Sequence, residues 1–163
     1  VLMPFFAGEI FHRGSQGLGF LLGAMGIGAV AGTLVLARRS RISGLQNVIF
    51  YGALTLGLGF VVLALSPWFY AALAVMPVIG FSVVRQNASA NTLIQTLIPD
   101  AYRGRIMALY SMMVVGIGPF GSLAAGALAG WFGPRTTVLA GGLLAIASAA
   151  IFRVQARTAL SDI

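Results

Sequence analysis

Residues 16–37 read QGLGFLLGAMGIGAVAGTLVLA, 22 residues without a charge. A helix rises about 1.5 Å per residue, so roughly 20 apolar residues cross a ~30 Å hydrocarbon layer. The stretch has neither the polar face of a helix lying in water nor the alternation of a barrel strand. It predicts a membrane-spanning helix. Four further runs share its character: Val48–Leu65, Phe69–Leu93, Ile106–Gly130 and Thr136–Phe152. Two of these are marginal in length, at 18 and 17 residues. The opening segment 1–8 is apolar but too short to span. It reads as the last turns of a span that begins upstream, and the chain as a fragment of a larger protein. The expected fold is all-α, a polytopic transmembrane bundle of about five complete spans plus the end of a sixth, with residues 153–163 as a tail.

Composition supports a lipid environment. Hydrophobic residues make up 59 % of the chain and charged residues 8 %, against about 25 % charged in an ordinary soluble domain. The 22 glycines suit close helix contacts in membranes, where small residues let backbones approach. Without cysteine there is neither a disulfide nor a thiolate metal site. The net charge of +7 comes from arginines that mostly flank the apolar runs. No basic stripe with interleaved aromatic residues is present, so no nucleic-acid partner is expected.

Those arginines orient the chain. Seven lie in Arg38–Asn47, Ile94–Arg105 and the tail, and two lie in Glu9–Ser15 and Trp131–Arg135. Basic residues beside spans stay on the cytoplasmic side, which puts the C-terminus inside. Glu9–Ser15, Ser66–Trp68 and Trp131–Arg135 then face outward, with Trp68, Tyr70, Trp131 and Phe132 as an interfacial aromatic belt. Glu9 is expected to pair with Arg13 at helical i, i+4 spacing, and Asp100, after Pro99, to cap a short interfacial helix.

The tenth arginine, Arg85, lies inside the Phe69–Leu93 run. Its surroundings read Ser82-Val-Val-Arg85-Gln86-Asn87-Ala-Ser89-Ala-Asn91-Thr92. Ser82, Arg85, Gln86, Ser89 and Thr92 fall on one broad face at 100° per residue, with Asn87, Asn91 and Gln95 opposite. An amide or charge facing acyl chains is costly, and ionisable residues within spans mark substrate or ion paths. Arg85, Gln86, Asn87, Ser89 and Asn91 are therefore the candidate substrate-pathway residues, although Arg85 could also snorkel toward the cytoplasm. Val48–Leu65 and Thr136–Phe152 carry few polar groups and could face lipid on most sides. In Ile106–Gly130, Gly118, Pro119 and Gly121 are candidate bending positions, because proline removes a backbone hydrogen bond. In Gln16–Ala37, Gly19/Gly23 and Gly28/Gly32 have the spacing of close helix contacts.

The spans hold no Asp, Glu, His, Lys or Cys. No general base, metal site or nucleophile–base pair can be assembled within them. A phosphate loop is ruled out by the lack of lysine. Neither an enzyme nor a bound cofactor or metal is expected.

The stretch Asn91-Thr-Leu-Ile-Gln95-Thr-Leu-Ile-Pro99-Asp100-Ala-Tyr-Arg103-Gly104-Arg105-Ile-Met resembles the connection between helices 10 and 11 of major facilitator superfamily transporters, in the branch of enterobactin exporters and macrolide-efflux proteins. Gly118-Pro119-Phe-Gly121-Ser-Leu-Ala-Ala-Gly126-Ala-Leu-Ala-Gly130-Trp-Phe-Gly133 is similar to helix 11 of that branch. The resemblance implies that segment 1–8 ends helix 7 and that the five runs are helices 8 to 12, the C-terminal half of a twelve-helix protein. It further implies alternating access against an N-terminal six-helix half, export of a small organic molecule such as a siderophore or hydrophobic drug, proton coupling through a group outside these spans, and residence in a bacterial inner membrane. Asp100, Arg103, Gly104 and Arg105 would form the cytoplasmic gate loop, where plain topology anchoring is the other reading of the arginines. Helices 9 and 12 would be peripheral. Gly118–Gly121 resembles an antiporter signature. One departure is Leu36, which stands where the family often has aspartate after helix 8. A non-transporting membrane scaffold is the alternative function, and would have its polar residues fully paired.

Overall fold

In lipid, backbone polar groups must bond within their own segment, so apolar runs of this length have to be helical. The computed structural model describes residues 2–38 and 44–161, with side chains as far as 155. Arg39, Arg41 and the side chain of Arg157, counted above toward orientation, lie outside the described residues. A short helix α1 (Met3–Phe5) continues as a π-helical turn (Phe6–Ile10). Five long helices follow: α2 (Gly14–Ala37), α3 (Leu45–Leu65), α4 (Phe69–Leu97), α5 (Asp100–Phe132) and α6 (Pro134–Ser161). All five contain windows long and apolar enough to cross a membrane.

The helices overrun the apolar runs at most ends, because hydropathy marks the hydrocarbon layer and not where a helix stops. No separate interfacial helix forms at Asp100. It is the first residue of α5 itself, makes no capping bond there, and pairs with Arg103 at 2.5 Å. The turn between α5 and α6 depends on Gly133, whose φ of +86° and ψ of 157° suit a residue without a Cβ.

Helix α4 packs between α2 and α3, α3 packs on to α6, and α5 leans chiefly on α6. The α2–α4 contact is backbone to backbone. A Cβ on Gly28 would overlap the main chain of Pro77, and one on Gly80 would overlap the carbonyl of Met25. Gly32 likewise abuts Phe81, whereas Gly19 and Gly23 have open space around them. Only the second of the two predicted glycine pairs therefore makes a helix contact.

The expectation that Val48–Leu65 faces lipid on most sides does not hold. Gly57 of α3 meets Gly142 of α6, Gly59 meets Ile79, and Gly52 meets Gln86. Glycines on two sides let α3 approach both neighbours, and an all-round apolar helix accepts such enclosure. Conversely, α5 is largely exposed, and a Cβ placed on its Gly116, Gly118, Gly121, Gly126 or Gly130 would meet open space.

The buried core comprises Phe6, Ala7, Leu21, Leu63, Phe69, Ala72, Met76 and Ile79. It lies toward one end of the bundle, where three connections meet. Arg13 lies over the rings of Phe69 and Tyr70, 5.3 and 5.6 Å from their centroids, and Arg135 Nη2 donates to the Ser66 carbonyl at 3.4 Å. Glu9–Ser15, Ser66–Trp68 and Trp131–Arg135 thus share one end, as five crossings require. The expected Glu9–Arg13 ion pair is absent. The helix breaks after Ile10, His12 and Gly14 have φ of +51° and +54°, and the lost helical register turns Arg13 toward the aromatic rings instead.

Candidate functional site

The polar turn of α4 begins at Ser82, which is buried and shares a 2.8 Å hydrogen bond with Thr55 of α3. Thr55 also donates to the Tyr51 carbonyl at 2.7 Å. Less than one turn further along α4, Arg85 is half-buried, with its guanidinium 4.9 Å from the Phe81 ring centroid. It lines a cavity of about 200 Å³ together with Tyr51, Thr55, Val78, Phe81 and Ser82.

Gln86 sits on the other side of the α3–α4 contact. It lines a second cavity, of about 250 Å³, with Phe50 and Ala53 of α3 and Ser148 and Phe152 of α6. Ser89 is fully buried. Arg85 Nε, Gln86 Oε1 and Ser89 Oγ are all buried without a hydrogen-bond partner. Such orphans each carry a desolvation cost of about 1–3 kcal/mol, and more for a charged group. Three of them fall within five consecutive residues of a helix long and apolar enough to cross a membrane.

The other predicted residues are not part of this cluster. Asn87 donates to its own Val83 carbonyl at 3.0 Å, and Asn91 accepts from Gln95 Nε2 at 2.6 Å. Thr92 and Thr96 donate back to Ala88 and Thr92. These bonds stay within α4, so the opposite face, Asn87, Asn91 and Gln95, is locally satisfied, as are Thr92 and Thr96 beyond Ser89 on the Arg85 face. Helical periodicity separated the two faces correctly, but it gave no sign that Arg85 and Gln86 would be divided by α3.

Gly118 and Gly121 line an apolar cavity of about 390 Å³ with Phe6, Phe60, Leu63 and Val138. Pro119 lies within α5, which runs unbroken across it. In the loop set, Arg103 binds Asp100, Gly104 has open space around it, and Arg105 makes no ion pair among the described residues. Pro77, absent from the sequence-based candidates, is a second proline inside a span and forms the wall against Gly28. Its place inside an apolar run was the available signal. Among the described residues, no group of three or more His, Asp or Glu side chains comes together.

A family model described as transmembrane secretion effector matches residues 1–162. The MFS-type transporter YfmI of Bacillus subtilis (strain 168) is 30 % identical over 151 residues, covering 88 % of this chain and 36 % of the relative. The multidrug efflux pump Tap of Mycolicibacterium fortuitum is 31 % identical over 123 residues, covering 76 % of this chain and 30 % of the relative. The chain spans about a third of the length of these curated relatives. No solved structure matches it.

Proposed function

This chain belongs to the transmembrane secretion effector family of major facilitator transporters, and from that premise we propose that it is the C-terminal half of an exporter of small organic molecules. It is a multi-pass membrane protein. In the proposed reading α2 to α6 are helices 8 to 12, the Arg38 and Asp100 ends face the cytoplasm of a bacterial cell, and the C-terminus is inside. The partner is an N-terminal half of the same polypeptide, and the two alternate in access. The cargo is a siderophore or a hydrophobic drug. Proton coupling resides outside these spans, since their apolar runs contain no carboxylate.

The observation that carries this reading is the trio of unpartnered buried polar atoms on Arg85, Gln86 and Ser89. A transporter must present polar groups to a hydrated solute inside the membrane, and it leaves them unfilled between cargoes. A membrane scaffold has no use for such orphans and would pair them, so the trio favours transport. Asn87 and Asn91, on the opposite face of α4 and held by bonds within it, face the N-terminal half, Gly118, Pro119 and Gly121 let helix 11 bend, and Asp100, Arg103, Gly104 and Arg105 close the inner loop.

Dye efflux from bacteria producing the full-length protein tests the reading. Energised cells should extrude preloaded dye faster than cells lacking the protein, and an uncoupler should abolish the difference. Equal rates across a panel of anionic, neutral and cationic dyes would overturn it.

A further inference from the structure

The cavity at Arg85 has a charge that nothing among the described residues neutralises. The sequence has three carboxylate side chains, Glu9, Asp100 and Asp162. Glu9 stands at the opposite end of the bundle, beyond the Arg13 cluster. Asp100 already binds Arg103 at 2.5 Å, and Asp162 follows the last turn of α6, outside the described residues. The Arg85 guanidinium makes no hydrogen bond or ion pair among the described residues, and its Nε is buried. Phe81 supports one face of the guanidinium at 4.9 Å, and the guanidinium N–H groups have no hydrogen-bond partner among the described residues. The nearby hydroxyls of Thr55 and Ser82 are engaged with each other.

We propose that this cavity binds the acidic group of an anionic aromatic solute, and that such acids, rather than lipophilic cations, are the cargo class this half recognises. The assignment rests on the exporter reading above. A guanidinium edge offers paired donors that match a carboxylate, sulfonate or phosphate. At membrane depth, where water is scarce, the attraction is stronger than in bulk solvent, and a cation in the same place is repelled. The rings of Phe81 and Tyr51 provide the flat apolar walls that an aromatic body needs. Tyr51 and Val78 are exposed and border the cavity, so a solute reaches Arg85 from the flank of the α3–α4 pair. The volume of about 200 Å³ holds the acidic group and part of a ring.

The test is transport by the full-length protein in proteoliposomes, with carboxyfluorescein as the aromatic anion and ethidium as the aromatic cation. The wild type should carry carboxyfluorescein. Arg85→Gln should slow that flux by about tenfold or more, the loss expected of a charge-assisted bond, while any ethidium flux changes by less than about twofold. Arg85→Lys, which keeps the charge without the fork, should fall between.

Ethidium transport without carboxyfluorescein transport would overturn the assignment. So would equal loss of both fluxes in Arg85→Gln, which would make Arg85 a structural residue or the partner of a carboxylate elsewhere in the protein. If neither dye moves, the exporter reading fails with these probes, and equilibrium binding of carboxyfluorescein to the detergent-solubilised protein decides the site separately. Arg85-dependent binding supports it, and no binding overturns it. If phosphatidylglycerol displaces the dye from the wild type, Arg85 holds a lipid headgroup and the solute assignment falls.

Discussion

The hydroxyls of Thr55 and Ser82 lie 2.8 Å apart and form a side-chain hydrogen bond between α3 and α4. It crosses the contact that separates Arg85 from Gln86. Interhelical hydrogen bonds in membranes average about 0.6 kcal/mol and reach about 1.7. Thr55→Val and Ser82→Ala should each lower unfolding stability within that range, and the double variant should lose less than the sum. Thermal unfolding in detergent measures the cycle, and additive losses would deny the bond an energetic role.

The glycines of α2 and α4 divide by what lies opposite them. Gly28→Ala and Gly80→Ala force a methyl group into the backbone of the facing helix, so each should cost about 1–3 kcal/mol as overpacking does. Gly23→Ala and Gly26→Ala meet open space and should be neutral or stabilising by up to about 1 kcal/mol, the gain in helix propensity. Measuring the four variants side by side separates helix contact from glycine content as such.

Orientation is testable because the chain has no cysteine. Single substitutions Trp68→Cys and Asn47→Cys place thiols on exposed residues at opposite ends of α3. In intact cells a membrane-impermeant maleimide should label the first and reach the second only after permeabilisation. The reverse pattern would invert the orientation read from the arginines.

The bundle was largely legible in the sequence, because the hydrocarbon layer imposes a length and a polarity on whatever crosses it. Five runs marked five helices, and Phe69 began α4 where the polarity changed. Which helices touch was less legible. Val48–Leu65 read as lipid-facing because it lacks polar side chains, yet Gly52, Gly57 and Gly59 make it the partner of both α4 and α6. A glycine's contribution depends on what approaches it, and that lies on another segment. The same limit applies at the site. Periodicity grouped Arg85, Gln86 and Ser89 on one face, but could not show that α3 would fill the middle of that face. Nor could spacing alone show that a broken helix would cost Arg13 its pairing with Glu9.

The central claim is that the orphaned turn of α4 lies on a hydrated path through the membrane. Ser89→Cys and Ala72→Cys, both replacing fully buried residues of the same helix, test it directly in the full-length protein. With a membrane-impermeant thiol reagent applied from both sides during turnover, the thiol introduced at position 89 should be modified and should be protected by transported dye, while the one at position 72, in the apolar core, stays unmodified. Equal inertness of the two thiols would contradict the account.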